Sequence, residues 1–146
     1  MIAALQGAAI GAGLGLALAA DFRIASPAAR FSANFVKLGF HPGFAITYTL
    51  PRVIGEQKAS WMMLSGNRIR ADEAAGWGLV DRLVPAEALA EEALRMADEI
   101  ACNAPLALLA IRETLSSQVG SKAVETMRQE HSEQTKLKST ADYAEG

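Results

Sequence analysis

A single cysteine, Cys102, excludes an internal disulfide and fits a reducing, cytoplasmic setting. Its place at the end of an amphipathic pattern predicts a small buried hydrophobe, not a nucleophile. The two histidines, His41 and His131, are lone and far apart, so no metal-ligand spacing exists and no metal is expected. Charge of either sign is not in excess: the formal net charge is -2, and no basic run suggests a nucleic-acid partner. Charge is missing altogether from residues 1 to 20, a run long enough to cross a bilayer. Gly7, Gly11 and Gly15 repeat there at the spacing of membrane helix pairs. Most of the run is Ala or Gly, however, Gln6 interrupts it and no Trp or Tyr anchors its ends, so no membrane partner is expected. No basic n-region precedes it, so it does not read as a secretory signal.

What is present is an ordinary globular composition: 51% apolar and 21% charged residues in a chain of 146, the size of one domain or a large piece of one. The stretch GAAIGAGLGLALAAD, Gly7 to Asp21, organises it. An apolar strand from Ile2 to Leu5 runs into a Gly- and Ala-rich loop, and a helix is expected to begin near Gly11 or Ala12. The first N–H groups of such a helix are unpaired and can stabilise a developing negative charge. A dinucleotide fingerprint fails, because the residue after Gly11 and Gly13 that should be Gly or Ala is Leu16. The plainer alternative is a buried helix packed closely through its glycines.

Further strands are expected at Phe22–Ala25, within Ala28–Ser32, at Ile69 and from Leu79 to Val84. Gly39 to Gly43 reads as a loop, because Pro42 denies helix to His41. Helices are expected over 44–53, 57–64 (with Trp61 and Leu64 sharing a face), from Asp72, and after Pro85 with the stripe Leu89, Ala93, Met96, Ile100. Trp61 and Trp77 read as core. Leu106–Ser117 and Ser121–Lys138 are expected helices, the second burying Val124, Met127 and His131. Thr140 begins another. Residues 1–103 thus form an α/β unit, and 104–146 an all-helical region that packs on a neighbour or another subunit.

The succession IAALQGAAIGAGLGLALAADFRIAS, ARFS, LGFHPGFAITYTLPRVIG, KASWMMLSGNRIRADEAAGWGLVDRLVP, APLALLAIRETL and TADYAEG resembles the crotonase superfamily of enoyl-CoA hydratases and isomerases. The resemblance implies part of a ββα spiral core followed by a helical trimerisation region. It begins in the middle of the family's domain and stops before the last family helix, which implies a C-terminal half-domain. It further implies an acyl-CoA thioester as substrate, no cofactor beyond that coenzyme A, and a homotrimer or hexamer.

In the family two backbone N–H groups hold the thioester oxygen, and the position matching the second is Ala12, flanked by Gly11 and Gly13. The positions matching the hydratase glutamates are Gly15 and Phe35, and the one matching an isomerase aspartate is Gly43. None can transfer a proton, so hydration by two carboxylates is not expected. His41 is the nearest replacement acid or base, against a plain loop histidine. Tyr48 could donate a proton or a hydrogen bond, though a packing role suits its helix position. Asp21 reads as structural, and Arg23, Arg52 and Arg82 as surface or pairing residues. Two functions stay open: an enolate-stabilising acyl-CoA enzyme, and a non-catalytic acyl-CoA binder or assembly partner.

Overall fold

Each early repeat of the chain sends one strand into each of two sheets. The computed structural model describes residues 1–145. The strands β1 (Ile2–Leu5), β3 (Phe22–Ala25) and β6 (Arg82–Leu83) form a parallel sheet in the order β1-β3-β6. The strands β2 (Ala8–Ile10), β4 (Arg30–Ser32) and β5 (Ile69–Arg70) form a second sheet, in which β2 runs parallel and β5 antiparallel to β4. The register pairs Ile2 with Phe22 and Ala9 with Phe31. Two successive strands, one per sheet, followed by helix α1 (Ala12–Leu18), make the ββα turn of a spiral, and β3 and β4 repeat it. Among the described residues β1 pairs on one side only, with β3.

A 3-10 helix at Asn34–Leu38 and helices α2 (Ile46–Ile54), α3 (Glu56–Ser65) and α4 (Ala71–Gly76) fill the second half of the spiral. Leu14, Phe31, Ile46, Leu50, Met62 and Leu79 are fully enclosed between them. Helix α5 (Leu89–Ala101) covers the first sheet through the expected stripe: Leu89 and Met96 are buried on Ile24, and Ala93 and Ile100 are partly buried beside them. Helices α6 (Pro105–Ser116), α7 (Val119–Leu137) and α8 (Ala141–Glu145) complete the helical region.

Several expectations change. Ala8–Ile10 is a strand and not loop: its hydrogen-bonding partner β4, distant in sequence, overrides the weak strand preference of Ala. Asn34–Leu38 is helical where only a lead-in to the loop was expected. The strand at 79–84 shrinks to Arg82–Leu83, because the Leu79 and Val80 amides both donate to the Ala74 carbonyl and close α4. Trp61 is 49% exposed and not core, whereas Trp77 is half-buried and packs against the edge of the main core. The buried face of α3 is Ala59 and Met62, which turns Trp61 outward to meet Trp77 edge-on at 6.1 Å. Cys102 is exposed, lying two residues past the last stripe position and so on the opposite side of the helix. On α7 the buried position is Glu130, whereas Val124, Met127 and His131 are exposed.

Candidate active site

Helix α1 begins without a side-chain cap. Gly11 turns the chain into it at φ 54° and ψ -116°, a conformation glycine adopts at little cost. The Gly11 N–H donates to the Ser32 carbonyl at 2.9 Å, extending the β2–β4 ladder, and the Gly15 N–H donates to the Gly11 carbonyl at 3.1 Å. Between these two, the amides of the first helical turn have no intrahelical acceptor. Ala12 and Gly13 are exposed and Leu14 is buried, so Ala12 carries the first free amide that a ligand could reach. A β-carbon on Gly11 would lie 3.3 Å from Asn34 Oδ1 and 3.7 Å from the Phe35 ring, so the 3-10 helix forms one wall beside this turn.

Phe35 is buried and packs edge-on against Phe40 with ring centroids 5.5 Å apart. Gly15 faces Phe44 directly: a β-carbon there would stand 2.5 Å from Phe44 Cβ and 3.1 Å from Cγ. The close-packing alternative therefore holds at Gly15, which has no space for a side chain of any kind. Gly43 is buried against α7, where a β-carbon would meet Gln134 Nε2 at 2.9 Å. The positions of Gly15 and Phe35 are thus filled by apolar, close-packed structure, which raises the cost of any charge placed there, whereas at Gly43 the opposing atom is the amide end of the Gln134 side chain.

His41 is half-buried and its Nδ1 lies 2.8 Å from the Pro42 carbonyl, which fixes Nδ1 as the donor. It lines a groove of about 480 Å³ with Phe40, Thr47, Met63 and Leu137, and neither Ala12 nor Tyr48 borders that groove. Tyr48 is half-buried and receives the Arg52 guanidinium over its ring at 5.2 Å, a packing arrangement. The structure brings Gly11, Ala12 and Phe35 together and sets His41 in a different lining.

The arginines pair as expected. Arg23 is buried, donating to the carbonyls of Leu79 (2.8 Å) and Ala20 (2.9 Å). Arg82 reaches Glu92 at 2.8 Å and Glu99 at 3.0 Å. Asp21 pairs with Arg112 at 3.2 Å and with the Met1 amino group. Burial works to raise the Asp21 pKa, but these two cations outweigh it and hold the carboxyl below its ordinary value.

The order of the two sheets, the ββα turns and the uncapped α1 reproduce what the resemblance implies. The enoyl-CoA hydratase/isomerase family model matches residues 1–146. The chain belongs to the enoyl-CoA hydratase/isomerase family. A 2,3-dehydroadipyl-CoA hydratase of Escherichia coli is 40% identical over 148 residues, which cover 100% of this chain and 57% of that protein. A 1,2-epoxyphenylacetyl-CoA isomerase of the same organism is 35% identical over 146 residues, covering 100% of this chain and 56% of that protein. A crystal structure of an enoyl-CoA hydratase from Mycobacterium avium subsp. paratuberculosis superposes with a TM-score of 0.89 at 28% identity, over 99% of this chain and 59% of that one. The chain therefore spans little more than half the length of these relatives. Because the family match runs the whole chain, it does not by itself single out a C-terminal half. A hydratase and an isomerase resemble this family member to a similar degree, so likeness alone does not select a reaction.

Sequence reasoning missed Phe44, Glu130 and Gln134. Phe44 and Ala45 adopt φ 59° and 56°, a backbone state that no composition signal announces in a Phe-Ala pair. Gln134 donates to the His41 carbonyl at 2.9 Å, and Glu130 to no one: it accepts from Ala45 at 2.8 Å. The signal available was a second helical series on α7, Val119, Ala123, Thr126, Glu130, Gln134, Leu137, all half-buried or buried. Its polar members concealed it from a search for apolar faces.

Proposed function

We propose that this chain is the C-terminal half of a crotonase domain that acts on an acyl-CoA thioester through an oxyanion hole, with the Ala12 N–H as one of its two amides. The observation that carries the proposal is the unbonded N–H of the exposed residue Ala12 at an uncapped helix start, placed immediately after the Gly11 N–H is consumed by Ser32. An amide so held stabilises the negative charge that develops on the thioester oxygen as the enolate forms. Gly13, with open space where a side chain would stand, leaves the backbone open to the ligand, and the Phe35 edge beside Gly11 closes one side.

The lack of room at Gly15, the apolar Phe35 and the missing carboxylate at Gly43 support an enolate chemistry that does not use the two-carboxylate route. Isomerisation, decarboxylation or an unusual hydration pass through such an enolate, whereas hydrolysis passes through a tetrahedral oxyanion that the same amide would hold. His41 is kept as a proton donor or acceptor only on the reading that a bound thioester reaches its groove, and Tyr48 as a hydrogen-bonding group. The same filled positions favour the second reading, a non-catalytic acyl-CoA binder. Coenzyme A enters as part of the substrate, with no resident cofactor. The exposed apolar side chains of α6, described below, support a homotrimer or hexamer, and the unpaired Cys102 a cytoplasmic location.

The test is Ala12→Pro. Proline is tolerated at a helix's first position yet removes the N–H. Exchange of the α-protons of an acyl-CoA with deuterated solvent, followed by NMR, reads enolate formation directly. The wild-type protein is expected to accelerate the exchange and Ala12→Pro to slow it by about 10²- to 10³-fold, while Ala12→Gly keeps it. Equal exchange in wild type and Ala12→Pro overturns the assignment of this amide; binding of the thioester without exchange in the wild type selects the non-catalytic reading.

A further inference from the structure

Glu130 is 1% exposed, in the middle of α7, and the amide chemistry above does not use it. Its Oε2 accepts the Ala45 N–H at 2.8 Å; its Oε1 accepts the Thr47 N–H at 3.1 Å and the Thr47 hydroxyl at 2.7 Å. Among the described residues it has no ion-pair partner. A carboxylate buried without a cation is costly unless donors surround it, and here three do. They sit at the start of α2, whose N-cap Ala45 supplies no side-chain cap of its own, so the helix dipole adds to the attraction. A residue of the helical region thus caps a helix of the spiral core across more than eighty positions of sequence.

What it holds there is the strained turn. Phe44 and Ala45 are the two non-glycine residues with positive φ among those described. Such a conformation persists where its surroundings over-determine it. The Phe44 side chain rests on Gly15, in the middle of α1, with Ile46 beside it. The links are contiguous: the Glu130 carboxylate, the amides of Ala45 and Thr47, the Phe44 ring, Gly15, and the helix whose first amide belongs to Ala12.

We propose that Glu130 is a positioning residue: by holding the 44–45 turn against α1 it sets where the Ala12 amide points, without touching the substrate. This rests on the oxyanion reading of Ala12. An interaction that orients a donor from a distance affects the rate of the bound complex more than its affinity, and small displacements suffice: a misplacement of about 1 Å can cost about 10²-fold.

Glu130→Gln is the variant, because it keeps the shape but leaves one oxygen for three donors and turns an NH2 toward an N–H. Two measurements are made on the full chain. The first is α-proton exchange of a saturating acyl-CoA together with its affinity; the second is backbone amide hydrogen exchange along α1. Glu130→Gln is expected to slow substrate exchange by between about tenfold and a hundredfold with affinity almost unchanged, and to speed amide exchange across Ala12–Leu18 as well as at Ala45 and Thr47. Glu130→Asp, which keeps the charge, is expected to recover part of both. Loss of affinity and rate together, or faster amide exchange confined to α7 and the 44–47 turn, overturns the proposal in favour of simple anchoring of α7. If the wild type exchanges no substrate protons, the oxyanion reading fails by itself, and the α1 amides still decide whether Glu130 controls that helix. If Glu130→Gln does not fold, Thr47→Val removes one of the three donors, and the same pattern at smaller amplitude is required.

Discussion

A methyl group on residue 15 would stand 2.5 Å from Phe44 Cβ, well inside contact distance. Gly15→Ala is therefore expected to destabilise the protein by about 1–3 kcal/mol, the usual range for overpacking, read as a lower denaturant midpoint. The opposing atom is Phe44 Cβ itself, so Phe44→Ala leaves the clash in place, whereas Phe44→Gly removes both the clash and the positive-φ penalty. Gly15→Ala with Phe44→Gly should recover most of the loss; an equal loss in the double variant would mean that the strain lies elsewhere. The same geometry bears on Gly15→Glu, which cannot rebuild a hydratase acid while Phe44 holds its place. The sequence made legible that residue 15 has no carboxylate. That the vacant side of the helix is occupied was not legible, because Phe44 reaches it only through a backbone conformation that phenylalanine rarely adopts.

At the scale of the element, α5 shows a helix read well and α7 one read in the wrong register. The α5 stripe is apolar at helical spacing, so burial against the first sheet followed from hydrophobicity alone. Along the flank of that stripe runs a charge network in which Glu92 receives Arg95 Nη2 and Arg82 Nη1, each at 2.8 Å. Those hydrogen bonds, Arg95's first and Arg82's second, hold the Glu92 carboxyl down to about 2, below its ordinary 4.5. A carboxyl depressed in the folded state adds stability that is complete above its unfolded pKa and is lost as pH falls toward the folded one. Stability of the wild type should therefore fall between about pH 4.5 and 2 more steeply than that of Glu92→Gln, with the difference shrinking in high salt. Parallel acid limbs in urea titrations across that range would contradict it. On α7 the face that packs contains Glu130 and Gln134, and their burial depends on donors supplied by residues 41–47. Nothing local to the helix encodes those donors.

Over the whole molecule, α6 is the element without a home. Leu106, Leu109, Ile111 and Leu115 are 82%, 64%, 57% and 72% exposed, and the helix buries no residue. Four large apolar side chains on one short helix exceed what an isolated surface usually carries. This supports the proposed assembly, in which α6 is covered by another copy. Leu109→Glu with Leu115→Glu is expected to reduce the sedimentation mass from an oligomer to a single chain, while the thermal midpoint of the spiral core changes little. An unchanged oligomer would place the interface on another face. No helix among the described residues is long and apolar enough to cross a membrane, and the uncharged first twenty residues form two short strands and one short helix.

Residue order alone was enough for the elements whose signal is local: the α5 stripe, the Gly11 turn into α1, the loop before Pro42, and a helical region following the α/β part. Each depends on periodicity or on the dihedral freedom of one residue, and neither needs a partner to be read. The order of its motifs also carried the family. The tertiary structure was needed to show that Ala8–Ile10 is a strand, that Gly15 is walled off by Phe44, that His41 lines a groove Ala12 does not border, and that a buried Glu130 caps α2. In each of these a group's state depends on a donor, an acceptor or a wall contributed from elsewhere in the chain, and proximity in space is what the fold supplies.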